Sequence, residues 1–324
     1  MSDVITVENL RKRFDTVQAV SDVSFNIKSG ELFGFLGPNG AGKTTTMNML
    51  TGLARPDGGT IRIGGIDCTS NPRAAQHLIG IVPDESNLYP ELTGLENLCF
   101  CASLYGIGKS EREARARRLL NEFGLAEAAN RRFGGYSKGM KRKLTIAAGI
   151  IHEPKILFLD EPTTGIDVAS ARQLRSRISE LNRSGTTILL TTHYIEEAER
   201  LCDRIAFIVS GQVVLIDTVE RLLQPVQDKH ILNLSLATSL GTARSGLKEA
   251  FPNLEVTFPA EDLVRFEATS PIAVGRLVRH LEERDAEVLE ARRMRPSLED
   301  VFVETTGIEA GLMRQEREKR GGAQ

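Results

Sequence analysis

Gly37-Pro38-Asn39-Gly40-Ala41-Gly42-Lys43-Thr44-Thr45 is the stretch whose reading decides the fold. It fits GxxxxGK[ST], and its neighbours suit that pattern. Before it, Leu32-Phe33-Gly34-Phe35-Leu36 is a short apolar run, the mark of a buried strand. After it, Lys43 to Leu50 reads as a helix that stops at Gly52. Glycines at 37, 40 and 42 let the backbone curl until successive N–H groups share one concavity, and the helix that starts there adds the positive end of its dipole. Such a cradle suits phosphate. Lys43 is placed to neutralise a β/γ-phosphate pair, and the Thr44 hydroxyl to ligate Mg²⁺.

Working outward, Val4–Val7, Val23–Ile27 and Thr60–Ile63 alternate as strands of an antiparallel sheet beside a parallel core. Phe14 follows Arg11-Lys12-Arg13, where an aromatic either stacks on an adenine or tucks into the local sheet. From about Leu92 to Gly149 the chain is helical. Ser110-Glu111-Arg112-Glu113 has the form of a capping box, and Ser137 is placed to cap a helix reaching about Ile151. Strands and helices then alternate. Lys155–Asp160 is an apolar strand ending in an acid, Asp167 caps a helix to Arg183, Thr186–Thr191 is a strand and Tyr194–Leu201 a helix, and a strand pair turns about Ser210-Gly211. That order indicates a doubly wound α/β domain over about 1–222. The style changes near Leu223-Gln224-Pro225. Beyond it, strand (Ile231–Ala237), helix (Ala243–Phe251), strands (Leu254–Phe258, Leu263–Ala268), helix (Ile272–Arg284) and strand (Val288–Met294) follow the split βαβ order of a ferredoxin-like α+β domain over 223–306. A charged tail occupies 307–324.

Phe158-Leu159-Asp160-Glu161 supplies the other half of the chemistry. A strand presents Asp160 to Mg²⁺, and Glu161 to the water that attacks a γ-phosphate. Composition narrows the partners. With 41 Lys and Arg against 43 Asp and Glu the net charge is −2, which gives no footprint for nucleic acid. No apolar run approaches the roughly 20 residues that cross a bilayer, and Met1-Ser2-Asp3 opens no secretory signal, so a cytosolic chain is expected. The four cysteines and five histidines show no metal spacing and read as reduced thiols and scattered rings.

These motifs together resemble the ATP-binding subunit of an ABC transporter, over roughly residues 4–220. Tyr136-Ser137-Lys138-Gly139-Met140 stands in the signature slot, Gly165-Ile166-Asp167 in the D-loop and Thr192-His193 in the H-loop. The YSKGM form, and Pro296–Glu304 near the C-terminus, are similar to daunorubicin-resistance-type and other ABC-2 exporters. The resemblance implies a phosphate-loop NTPase with a RecA-like core, an antiparallel β subdomain, a helical subdomain at about 90–152 and the small C-terminal domain. It implies that two such subunits, identical or closely related, sandwich two ATP molecules, with the signature loop of each acting on the partner's nucleotide. His193 would contact the γ-phosphate, Phe14 would stack on adenine, and Lys43, Glu161 and His193 would carry catalysis. An ABC-2 type transmembrane permease would hold the pair at the cytoplasmic face of the membrane; the apolar, aromatic loop Leu88-Tyr89-Pro90-Glu91-Leu92 would either meet it or serve as core packing of the helical subdomain. The alternative, a soluble ABC ATPase acting on nucleic acid or ribosomes, lacks its usual second cassette and basic extensions here. One departure stands out. Asp84 occupies the Q-loop position where the family carries glutamine; being short and charged, it would reach Mg²⁺ through a water, and Glu85 could take over the contact.

Overall fold

The computed structural model describes residues 2–238, 246–294 and 296–308 of the 324. Most of the charged tail, and the start of the helix expected at Ala243, lie outside the described residues. The chain divides into two compact units, one running to Val219 and the other from Glu220 to Glu304.

The first unit opens with two twelve-residue strands, β1 (Asp3–Phe14) and β2 (Val17–Lys28), followed by β3 (Leu32–Leu36), α1 (Lys43–Leu50), β4 (Gly58–Ile63), β5 (Ile66–Asp67) and β6 (Ile79–Val82). Helices α2 (Gly94–Leu104), α3 (Lys109–Glu122) and α4 (Lys138–Ile150) come next. The unit closes with β7 (Ile156–Asp160), α5 (Val168–Arg183), β8 (Thr187–Thr192), α6 (Ile195–Leu201), β9 (Arg204–Val209) and β10 (Gln212–Thr218).

Two sheets result. One is antiparallel, in the order β2-β1-β4-β5. The other runs β10-β9-β3-β8-β7-β6, parallel throughout except for β10 at its edge. Every residue of β3, β7 and β8 is buried, as befits strands covered on both faces. The sheets share one apolar core, in which Phe25 of β2 stacks on Phe33 of β3 with centroids 5.5 Å apart. Register is what builds the site. Leu36 pairs with Thr192, Asp160 with Thr191, and Val82 with Leu159, so four parallel strands end level and the loops that follow them meet.

One expectation fails locally. Ser110 makes no capping box, because α3 begins at Lys109 with Gly108 as its cap, and Ser110 lies already inside the first turn. The capping box is on α2 instead, where the Thr93 hydroxyl accepts from the Glu96 N–H and the Glu96 carboxylate from the Thr93 N–H.

The second unit contains α7 (Val219–Gln227, with Pro225 inside it), β11 (His230–Leu236), α8 (Leu247–Ala250), β12 (Glu255–Ala260), β13 (Leu263–Ala268), α9 (Val274–Glu282), β14 (Val288–Met294) and α10 (Leu298–Thr306). Its sheet is antiparallel in the order β12-β13-β11-β14, the strand order of a split βαβ unit. Leu277 and Leu281, one turn apart on α9, close it over Leu234, Val264 and Phe266. The Pro296–Glu304 stretch supplies α10, whose Asp300 accepts from the Ser297 N–H and hydroxyl and pairs with Arg265.

Candidate active site

The loop between β3 and α1 is shaped by what it excludes. A Cβ on Gly37 would lie 2.1 Å from the Ile208 carbonyl oxygen, and Gly42, at φ 102°, lies so close to β2 that a Cβ would stand 2.5 Å from the Ala19 carbonyl oxygen. Pro38, Asn39, Gly40 and Ala41 bridge these fixed points, and Thr44 and Thr45 open α1 behind Lys43. Lys43 is buried. Its Nζ donates to the carbonyls of Gly37 (2.7 Å) and Pro38 (3.1 Å) and lies 3.5 Å from Glu161 Oε1.

The strand ends bring the acids to this loop. Asp160, buried at the end of β7, accepts from the Thr191 hydroxyl across the strand pair and from Thr44 Oγ1 at 3.4 Å. Glu161 follows in the left-handed region at φ 48°, an uncommon conformation for a side chain of this size, with its N–H held by Thr191. Glu161 Oε2 takes His193 Nδ1 at 2.8 Å and the Thr164 hydroxyl at 3.0 Å, whereas Oε1 has no hydrogen-bond partner. Burial pushes the Glu161 pKa up. The hydrogen bond and charge of His193, the Lys43 ammonium and Thr164 together outweigh it, so Glu161 stays below the usual carboxylate range and ionised at neutral pH.

The residues fit a magnesium nucleotide. Mg²⁺ favours one or two oxygen side chains completed by phosphate and water, and Thr44 with Asp160 supplies such a pair beside the cradle. Among the described residues no three His, Cys, Asp or Glu side chains form a cage of their own. Asp84, two residues beyond the end of β6, is exposed beside the end of β7 by register, and Glu85 is exposed next to it. Phe14 ends β1 and is 49% exposed, with Lys12 Nζ 5.2 Å from its ring centroid, so it does not tuck into the sheet.

The signature and D-loop residues form a second locus, at the N-termini of α4 and α5. Ser137 caps α4, its hydroxyl accepting from the Met140 N–H at 3.2 Å, and Lys138 is exposed. Asp167 caps α5 after Gly165 in the same manner. Gly139 holds the two helices together, since a Cβ there would stand 2.6 Å from Ser170 Oγ. Tyr136, the first residue of the signature slot, is buried, and its hydroxyl donates to the Ala128 carbonyl at 2.6 Å, so it supports the loop from beneath.

Two buried charges escaped the sequence reading. Glu197 accepts from Thr163 (2.7 Å) and Thr192 (2.8 Å), tying the segment after Glu161 to the one before His193. Burial raises its pKa despite those two donors. Arg142 of α4 donates to carbonyls on both sides of the acidic strand end. Its signal was its spacing: positions 139, 142 and 146 share the buried face of α4. Glu197 gave none, sitting beside exposed Glu196 in a seven-residue helix.

Comparison with known proteins gives a consistent answer. The ABC transporter family profile matches residues 20–164. The linearmycin resistance ATP-binding protein LnrL of Bacillus subtilis is 40% identical over 248 residues, covering 76% of this chain and 77% of that protein. The daunorubicin resistance ATP-binding protein DrrA3 of Streptomyces coeruleorubidus is 36% identical over 309 residues, covering 94% and 96%. Among solved structures, an ATP-binding subunit of an ABC transporter superposes with a TM-score of 0.63 at 33% identity, over 68% of this chain and 92% of that one. The cassette MJ0796, solved as a dimer in a post-hydrolysis state with ADP and Pi, gives 0.62 at 27% identity over 66% and 98%. With a phosphate cradle, an acidic strand end and a paired histidine in one place, and with relatives matching along most of its length, this chain belongs to the ABC transporter ATP-binding proteins and is an ATPase of that family.

Proposed function

We propose that the chain powers an exporter: two copies, or one copy with a closely related subunit, close on ATP and Mg²⁺ at the cytoplasmic face of a membrane and drive an ABC-2 type permease. The observation that carries the reading is the contact of Glu161 with both Lys43 and His193 at level strand ends. An arriving triphosphate competes for Lys43, drawing its ammonium off the Gly37 and Pro38 carbonyls and away from Glu161. Glu161 Oε1 is then left to accept a proton from water as that water's oxygen bonds to the γ-phosphorus and ADP departs. His193, with Nδ1 committed to Glu161, offers its other nitrogen to the γ-phosphate. Bound Mg²⁺, held by Thr44 and Asp160 with Asp84 reaching it through water, would neutralise charge that develops on the phosphate oxygens.

The names of the relatives, which include drug-resistance proteins and a Nod factor export ATP-binding protein, favour export over work on nucleic acid, as does the net charge of −2. A surface suited to a membrane partner lies on the helical segment. Tyr89 and Phe100 meet edge to face with centroids 5.2 Å apart, and both are partly exposed alongside Leu104 and Tyr105. The Tyr89–Thr93 loop is fixed from below by Asn97, which is fully buried and bonds to Tyr89, Leu92 and Thr93. Sedimentation of the Glu161→Gln chain with Mg²⁺ and ATP tests the closure. The proposal expects dimers with ATP and monomers with ADP, and monomers in both would refute it.

A further inference from the structure

Arg142 makes four hydrogen bonds, all to main-chain carbonyls. Nε donates to Pro162 at 2.9 Å, Nη1 to Pro83 and, at 3.0 Å, to Asp84, and Nη2 to Asp160. The side chain is 6% exposed, and these bonds occupy four of the five guanidinium N–H groups. Three separate segments therefore meet on one planar group: the loop after β6, the acidic end of β7 with its following turn, and α4, five residues beyond the Ser137 cap. Two of the four carbonyls belong to Asp160 and Asp84, the two carboxylate residues assigned to the metal. Asp160 is gripped at both ends, its carboxylate by the Thr191 hydroxyl and its carbonyl by Arg142.

We propose that Arg142 is a positioning residue for the metal site: one guanidinium fixes the main chain of Asp160 and Asp84 relative to each other and to the helix that carries the signature loop. This goes beyond the roles given above, and it rests on the assignment of Asp160 to Mg²⁺. A rigid fork suits the task, because it holds its donors in one plane at fixed separations, whereas an ammonium on a flexible stem cannot span four carbonyls. Lys43 and the glycine loop share no bond with Arg142, so capture of the phosphates is separable from placement of the metal. Pulling on the Pro83–Asp84 loop would be felt at Asp160 through the same group.

The test compares Arg142→Met and Arg142→Lys with wild type as full-length purified chains. Outer partners of metal-holding residues change metal affinity or activity by about 10–100-fold when removed. Mn²⁺ affinity in the presence of ATP, read by electron paramagnetic resonance, should weaken about 10-fold or more in Arg142→Met and by less in Arg142→Lys. ATP affinity without divalent metal should stay within about twofold, and kcat should fall while KM for ATP changes little. An arginine that only holds the fold predicts the opposite pattern, with metal-free ATP affinity dropping together with kcat; that result overturns the inference. So does an unchanged Mn²⁺ affinity in either variant that melts cooperatively. Should Arg142→Met fail to fold, Arg142→Lys decides by the same criteria. The Mn²⁺ titration needs no turnover, so a wild type that released no phosphate would sink the ATPase reading and leave this measurement to decide the inference.

Discussion

The two units of this chain are held together by different kinds of interior. Among the described residues, every buried polar or charged side chain lies in the first unit, from Glu31 to Glu197, and the greater part of them gather where β3, β7 and β8 end. Among the described residues of the second unit the fully buried side chains are apolar, Phe266, Leu277 and Leu281 among them; half-buried Asn233 encloses its Oδ1 without a hydrogen-bond partner, and the ion pairs, Lys229–Glu304 and Arg265–Asp300, stay partly exposed. Buried polar groups are costly unless each finds a partner, so a fold keeps them where they do work that apolar groups cannot. The difference places the groups that can do chemistry in the first unit.

The comparison can be broken most severely at Lys43. Lys43→Ala removes the ammonium inside the cradle and should lower hydrolysis by at least about 100-fold, with nucleotide binding lost in a fluorescence titration. Retained binding would mean that the cradle works without its cation. Phe266→Ala probes the other interior. Emptying that position should cost the second unit about 3–5 kcal/mol in denaturant unfolding, while kcat of the molecules that stay folded holds near wild type. A matching fall in kcat would end the division of labour.

Two buried carboxylates sharpen the contrast by pulling in opposite directions. The Glu161 pKa is lowered in the folded chain, so its stabilisation is present above the unfolded value of about 4.3 and disappears as pH falls through the folded one. The Glu197 pKa is raised, so ionising it costs stability as pH rises from that unfolded value through the folded one. Melting temperatures between pH 3 and 7 should show the margin of wild type over Glu161→Gln shrinking toward acid, and the margin over Glu197→Gln shrinking toward neutrality. Margins independent of pH would contradict both assignments. The smallest expected effect is at Asp84. Asp84→Gln, which places there the glutamine that the family carries at this position, should leave hydrolysis within about threefold while altering how ATP use is coupled to transport in reconstituted vesicles. Unchanged coupling would remove Asp84 from the relay.

What the residues alone disclosed follows a physical line. The cradle, the strand ending in Asp160 and the caps at Ser137 and Asp167 are local arrangements, where backbone geometry restricts the choice of residue and so leaves a mark in the order of the chain. Arg142 and Glu197 are long-range. Arg142 shares the inward face of its helix with Gly139 and Ile146, but the carbonyls it binds at Pro83 and Pro162, 59 and 20 residues away along the chain, are set by the fold and leave no mark in the local order. Tyr136 shows the same limit, since its place in a motif did not reveal that its hydroxyl turns inward to Ala128. The sheet of the second unit was legible from alternation and turn residues, whereas the cap of α3 shifted to Gly108 because a helix start depends on one or two residues of backbone geometry.

The most direct test of the central claim compares phosphate release by wild type and Glu161→Gln in the presence of Mg²⁺ and ATP, with ATP affinity measured in parallel. If Glu161 takes the proton of the attacking water, release falls by about 100-fold or more and ATP still binds. Equal release from the two proteins would show that another group does that work.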